Sequence, residues 1–387
     1  MNPPLNHEIK GWCPSAQKPM ASGDGLLMRV NPPLGRLTAE QFLGLANLAD
    51  KYGNGTIDLT RRAALQIRGI REDRYSSLLT GLQNLKLVEK SESPEIFSSI
   101  VLAPFRQEGD IEETLWHEIS KSLSQLSGLP SKFGVIIDTG KTPCLDNISG
   151  DIRIERSSDN DLIVRLDGCE KGIKKEIDEI PGFVHEIASW FSQSSGVVNG
   201  RGRIAGYLDK GGNIPSRLLP DTPRQTNPVS IKPGLVKQGY FIAFPFGQAT
   251  LSQIRQIADL DCPLIMTPWR MLLLEGLSKA PDIEGILIKD CSLLAIDACT
   301  GAPLCTQAKQ KTRKIAMQLA EKLLPDQTLH ISGCTKGCAR SKPADYTFIG
   351  TEDGFDLVRN GKADEQPIKK SIAIDRILQE FEACNDL

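Results

Sequence analysis

The sequence has no dominant charge. Its 46 basic and 48 acidic side chains leave a formal net charge of −2 over 387 residues. That balance argues against a generally basic nucleic-acid binder and leaves room only for a local cationic groove. Long apolar runs are missing too. Stretches such as Met271–Leu274 and Ile286–Ile288 fall far short of the roughly 20 residues needed to cross a bilayer, so no membrane partner is expected. The opening Met1-Asn2-Pro3-Pro4-Leu5 has neither a basic segment nor a following apolar one, so an export signal is lacking and a cytoplasmic location is expected. No dinucleotide fingerprint is found, because Gly200-Arg201-Gly202-Arg203 has too few correctly spaced glycines and no clear strand–helix context. Histidine is scarce. His7, His117, His185 and His330 are the full set, and none forms a local pair from which a two-histidine, one-carboxylate iron triad could be drawn.

Cysteine, by contrast, is present ten times, above ordinary usage but far below the density of a disulfide scaffold. Cys13, Cys144, Cys169, Cys262, Cys291 and Cys384 are scattered and read as small buried hydrophobes. Cys299, Cys305, Cys334 and Cys338 form two close pairs with gaps of five and three residues. Four thiolates suit a tetrahedral zinc or an iron–sulfur cluster. Structural zinc favours tighter knuckles, so the spacing favours a 4Fe–4S cluster over zinc; unrelated buried or redox cysteines are the third reading. Cys305 is expected at the start of a helix ending near Leu324, whose N-terminal end would favour an anionic cluster.

The chain reads as duplicated. Gly25–Val30 has a strand pattern, Thr38-Ala39-Glu40-Gln41 a helix cap, and Ile57–Gly69 a strand–turn–strand pattern followed by a helix from Tyr75 to Lys86. The order returns in Gly239–Phe244, a helix beginning at Thr250, and Leu264–Gly276. Thr60 and Gly69 then correspond to Thr267 and Gly276 without a gap. Each small unit precedes a larger one. The first has a helix at Ile111–Leu126, strands at Phe133–Asp138, Ile152–Glu155 and Leu162–Leu166, and a helix at Val184–Phe191. The second has a strand at Gly285–Lys289, a helical face from Ala308 to Leu323, a hairpin across Asp353-Gly354 and a last helix at Ile372–Phe381.

The cysteine pairs and the two repeats resemble the cluster motif and ferredoxin-like half domains of sirohaem sulfite and nitrite reductases. A closer resemblance covers essentially Gly11 to Phe381. Cys13-Pro14-Ser15, Pro19-Met20-Ala21-Ser22-Gly23-Asp24-Gly25, Leu65-Gln66-Ile67-Arg68-Gly69 and Ser332-Gly333-Cys334-Thr335-Lys336-Gly337-Cys338 are similar to segments of the precorrin-3B synthase family. This resemblance implies an α+β fold of duplicated nitrite/sulfite reductase architecture, with ferredoxin-like half domains and two larger α/β modules. The expected boundaries are 12–90 and 91–210 for the first half domain and module, 211–234 for a linker or ordered loop, 235–283 for the second half domain, and 284–387 for the iron–sulfur module.

The activity implied is the O2-dependent conversion of precorrin-3A to precorrin-3B in aerobic cobalamin synthesis. It implies a 4Fe–4S cluster on Cys299, Cys305, Cys334 and Cys338, a mononuclear non-haem iron, and NADH as the ultimate electron donor, reached through a separate reductase. By the same resemblance, Lys132 and Arg62 are candidate catalytic residues. Arg29, Arg62, Gln66, Arg68 and Arg270 are candidates to bind the ring, since arginine forks suit its acetate and propionate arms. Trp269 reads as a packing wedge. Gly134 stands where sirohaem reductases usually carry a second lysine, and the usual Arg-Asn pair is missing before Ile96–Ile100, which weakens the case for anion reduction. A sirohaem sulfite or nitrite reductase is the alternative enzyme, and an iron–sulfur electron carrier the non-enzymatic one.

Overall fold

The computed structural model describes residues 14–88, 100–106 and 109–385. Cys13, His7 and the segment Ile96–Ser99 lie outside the described residues. The first small unit contains β1 (Met20–Ser22), β2 (Gly25–Val30), β3 (Arg36–Leu37), α1 (Ala39–Tyr52), β4 (Thr56–Leu59), β5 (Leu65–Ile70) and α2 (Tyr75–Asn84). The first large unit follows with β6 (Ile100–Leu102), α3 (Ile111–Leu123), β7 (Val135–Asp138), β8 (Ile152–Arg156), β9 (Leu162–Leu166), β10 (Lys171–Lys174), α4 (Ile180–Ser192), α5 (Ile204–Leu208) and β11 (Thr222–Pro223). The second small unit holds β12 (Gly234–Val236), β13 (Gly239–Ala243), β14 (Gln248–Thr250), α6 (Leu251–Ala258), β15 (Leu264–Met266) and β16 (Met271–Glu275). The cysteine-bearing unit closes the chain with β17 (Ile296–Ala298), α7 (Arg313–Ala320), β18 (Leu329–Ser332), β19 (Ala344–Thr351), β20 (Gly354–Gly361), β21 (Lys369–Ile372) and α8 (Ile377–Asn385).

The two small units are copies at the level of single residues. Thr38 and Thr250 each accept a hydrogen bond from the backbone N–H of the glutamine three residues on, Gln41 or Gln253, whose side chain accepts from the threonine N–H in return. This reciprocal cap satisfies donors that a helix start otherwise leaves unpaired. Leu34 and Phe246 share a left-handed backbone just before a glycine, and Ala63 and Arg270 share one in the turns between the paired strands. The sheets run β1-β2-β5-β4-β14 and β12-β13-β16-β15-β3. Each small sheet is therefore completed by a strand from the other repeat. Thr250 lies opposite Thr56, and Leu37 opposite Leu264. Helices α1 and α6 close one shared core in which Phe42, Leu45, Ile57 and Ile67 meet Ile242, Ile254, Ile257 and Leu272.

The larger units are copies as well. In one, β6, β7 and β8 run parallel and β9 returns antiparallel; in the other, β17, β18 and β19 run parallel and β20 returns antiparallel. A helix follows the first strand in both cases, and another follows the last long strand of each sheet. Both packed faces of the central strands are covered, which explains apolar runs such as Val135-Ile136-Ile137.

The segment 211–234 carries Thr222–Pro223, which adds an edge strand to β10. Two expectations are corrected. Gly285–Lys289 forms no strand but a single bridge between Leu287 and Ala243. The helical face expected from Ala308 is shorter, and α7 begins only at Arg313.

Candidate functional site

The cysteine pairs occupy the loops after two adjacent parallel strands. β17 leads to Cys299 and Cys305, and β18 leads to Cys334 and Cys338; parallel pairing puts both loops at the same end of the sheet. Backbone bonds join the loops. The Cys299 N–H donates to Ile331 O at 3.2 Å, and the Lys309 N–H to Gly333 O at 2.8 Å. The Gly333 N–H donates to Cys299 Sγ at 3.2 Å. Burial pushes the Cys334 and Cys338 thiols up, the latter to about 11, and the nearby Cys299 and Cys305 push in the same direction against the Lys336 charge. Cys334 and Cys338 thus lie within electrostatic reach of both Cys299 and Cys305. Among the described residues, however, no three histidine, cysteine or acidic side chains are placed to hold a single metal ion. Four soft donors in a wide, joined pair of loops fit a multi-iron cluster better than one zinc ion. The same observation leaves the expected mononuclear iron without a seat among the described side chains.

Cys305 lies eight residues ahead of α7 rather than at its start, so the expected helix-end stabilisation is corrected. The helix approaches Cys299 instead, through Thr312, whose hydroxyl donates to Cys299 O.

A buried ion cluster sits beside these loops. Asp297, two residues before Cys299, is 4% exposed and receives Arg61, Arg270 at 3.0 Å and Arg340 at 3.1 Å. Burial opposes ionisation of Asp297, but Arg270, Arg61 and Arg340 outweigh it and hold the carboxyl below the usual range. Next to it in the sheet, Asp297, His330 and Thr347 are in register across β17, β18 and β19. His330 is fully buried, neither ring nitrogen has a hydrogen-bond partner, and burial pushes its pKa down to about 4. It is therefore a strand histidine whose ring is enclosed by protein without a hydrogen-bond partner.

A polar row crosses the first small sheet. Arg29 lies opposite Gln66, Gln66 opposite Asp58, and Asp58 opposite Gln248. Arg313 at the start of α7 bonds Asp58 at 2.9 Å. In the second sheet the corresponding row is Phe241, Leu273, Ile265 and Arg36, so only the first sheet offers a polar face.

Lys132 is exposed just before β7, and its carbonyl accepts from Arg62 at 3.1 Å and from Arg203. Arg203 is in turn fixed by Ser149, Gly150 and the fully buried Asp151. Arg62 also lines a small cleft with Asn31, Arg106, Leu34, Trp116 and Met266. Asn31 Nδ2 and Arg106 Nε are buried there without a hydrogen-bond partner. Burial pushes the Arg106 pKa down to about 10, which leaves it cationic at neutral pH.

Residues 18–85 match the nitrite/sulfite reductase ferredoxin-like half domain. The structure of the Mycobacterium tuberculosis NirA protein has the same fold, with a TM-score of 0.67 at 16% identity, covering 92% of this chain and 79% of that one. Precorrin-3B synthase of Sinorhizobium sp. is 26% identical over 92% of this chain and 84% of its own length. The chain is thus similar in sequence and in fold to the nitrite/sulfite reductase-like superfamily. The sulfite reductase (NADPH) hemoprotein beta-component of Bacillus subtilis is 30% identical, but over only 25% of this chain and 17% of its own length. The α+β fold with two ferredoxin-like repeats and two larger units is the superfamily's architecture. Among the described residues, no helix is long and apolar enough to cross a membrane.

Two of the residues expected to bind the ring have their guanidinium forks engaged within the chain. Arg68 is 4% exposed, and its fork is taken by Asp24, Ser22 and the Leu304 carbonyl. Arg270 is committed to Asp297 and to the Ala339 carbonyl at 3.2 Å. Trp269 packs edge-on against Phe241 with ring centres 6.5 Å apart. Sequence reasoning missed Asp297, Arg340, Arg203, Arg106 and Asn31. A usable signal existed for the first two. An acid two residues before the first cluster cysteine and an arginine two residues after the last one bracket the site.

Proposed function

We propose that the chain is a precorrin-3B synthase. The observation that carries this reading is coverage: similarity to a precorrin-3B synthase runs through 92% of the chain, whereas similarity to sulfite reductases stops at about a quarter. The reaction joins one oxygen atom of O2 to C20 of precorrin-3A, closes a γ-lactone from a ring A acetate, and releases the second oxygen atom as water. It consumes two electrons and two protons, with NADH as the ultimate donor and a separate reductase as the carrier.

The residues have separable tasks. Cys299, Cys305, Cys334 and Cys338 hold the 4Fe–4S cluster, which when bound supplies single electrons. Arg62 and the exposed ammonium of Lys132 meet the ring's carboxylates at the mouth of the cleft. The cleft is small, and only the carboxylate end of one acid arm enters it. Inside it, the unpartnered N–H donors of Asn31 and Arg106 receive that arm's oxygens. Arg29 and Gln66, on the polar row of the first sheet, face further arms.

The deciding experiment is incubation of anaerobically isolated protein with precorrin-3A, O2 and a competent reductant, read by mass spectrometry. A gain of one oxygen atom is expected. Absence of turnover together with a stoichiometric sirohaem absorption band and sulfite or nitrite reduction would replace this reading with the reductase one.

A further inference from the structure

The tip of the β1–β2 hairpin grips the loop that carries Cys305. Ser22 Oγ donates to the Leu304 carbonyl at 3.0 Å, and Arg68 Nη2 donates to the same oxygen at 2.8 Å. Arg68 also donates to Ser22 Oγ at 2.6 Å and reaches both carboxylate oxygens of Asp24, at 3.1 and 3.3 Å. Asn54 Nδ2 steadies that carboxylate from the far side at 3.0 Å. The Arg68 and Asp24 side chains are only 5% and 9% exposed, so their charges are closed in by protein. Between the two polar residues, Gly23 lies so close to the loop that a Cβ there would sit 2.9 Å from Pro303 O and 3.1 Å from Thr306 N. The contacts of Ser22, Gly23 and Arg68 with this loop each cross more than 230 residues of sequence, from the first repeat to the loop after β17.

The chemistry of this arrangement differs from that of a substrate clamp. All five guanidinium donors of an arginine point outward in a rigid fork, and here the fork is directed at a backbone carbonyl next to a cluster cysteine. Cys305 has no helix beneath it, and its own unit fixes its backbone by the Cys305 N–H to Gly301 O bond at 3.0 Å. The outer side of its loop is fixed by the other repeat.

We infer that Ser22, Gly23, Asp24 and Arg68 form a positioning clamp for Cys305, holding its sulfur at the cluster position. The inference rests on the cluster reading above and extends it, because cluster retention then depends on a repeat that supplies no cluster ligand.

The test compares wild type with Ser22→Ala, Gly23→Ala and Arg68→Lys, all isolated anaerobically. The readings are iron and sulfide content, the electron paramagnetic resonance signal of the reduced protein, and the half-life of the cluster against a chelator. Groups that orient metal ligands typically change metal retention 10- to 100-fold, so half-lives shortened about tenfold or more are expected, with an altered resonance signal. Arg153→Lys, which disturbs a different buried arginine pair with Asp167, serves as the control and should lower thermal stability without changing the half-life. Folded Ser22→Ala and Gly23→Ala proteins with wild-type half-life and signal would overturn the clamp. A wild-type chain that takes up no iron and sulfide would overturn the cluster reading, and the clamp with it.

Discussion

Single side chains in this protein are held in protonation and bonding states that solution chemistry would not choose. His330 is the sharpest case. Burial keeps its ring neutral in the folded chain down to about pH 4, while an unfolded chain protonates it near the ordinary 6.5. Between those values the unfolded state binds more protons. The stability contribution is therefore complete above about pH 6.5 and shrinks as pH falls toward 4, by about 3 kcal/mol over the window. Denaturant midpoints of wild type and His330→Leu across pH 4–7 should diverge at neutral pH from their separation at pH 4, with the variant showing the flatter curve; parallel curves would refute the assignment. The ring-binding role proposed for Arg62 makes a corresponding prediction. Charge-assisted hydrogen bonds contribute about 1.5–3 kcal/mol, so Arg62→Ala should weaken precorrin-3A binding about tenfold or more, as read by anaerobic titration. Unchanged affinity would remove Arg62 from the site. Cys299→Ser replaces a soft donor by a hard one and should abolish a normal cluster signal.

Secondary elements show how closely the two repeats match and where they part. Gly69 and Gly276 both close the second paired strand of their repeat with left-handed backbones, φ 69° and 75°. A Cβ on Gly69 would meet Asn54 Cβ at 2.7 Å, whereas one on Gly276 would meet nothing within 4 Å. Both alanine substitutions carry the cost of a left-handed non-glycine residue, about 1 kcal/mol, and Gly69→Ala adds a steric one. Urea denaturation should therefore rank Gly69→Ala as the less stable variant; the reverse order would contradict the packing around Asn54. This match was readable from the ungapped Thr60–Gly69 and Thr267–Gly276 segments, as were both glutamine-closed helix caps. The strand exchange was not. β3 and β14 are two and three residues long, too short for an alternation signal, and nothing local says that a partner lies more than 190 residues away. The fates of Arg68 and Arg270 were equally hidden. An arginine on a strand reads the same whether its fork meets solvent, a ligand or a distant backbone carbonyl, and only the fold brings Leu304 and Asp297 to them. The two cysteine pairs are legible because their spacing is local, while the bracketing charges Asp297 and Arg340 act through contacts made only after folding.

At the scale of the molecule, the cysteine unit is held to both repeats through one carboxylate. Arg61 comes from the turn between β4 and β5, Arg270 from the equivalent turn between β15 and β16, and Arg340 from just beyond Cys338; all three meet Asp297. Arg61 is 55% exposed and adds little on its own, but Arg270 and Arg340 are largely enclosed. Asp297→Asn would keep the shape while leaving those cations beside a neutral amide. Removing one partner from a buried ion pair costs about 3 kcal/mol or more, because the remaining charge stays desolvated. The loss should be local in effect. Hydrogen exchange should speed up in β17, β18 and the cysteine loops, where Asp297 joins the units, and stay near wild type in β7 to β9, whose core is built from separate residues. Uniform acceleration over all four sheets would mean that the hub contributes only general stability. Unchanged exchange at the cysteine loops would mean that the repeats and the cysteine unit are held together by their other contacts, such as Arg313–Asp58 and the bonds to Leu304 O. The asymmetric outcome is the one the charge arrangement requires, because Asp297 is the point at which both halves of the duplicated scaffold reach the same cysteine-bearing loops.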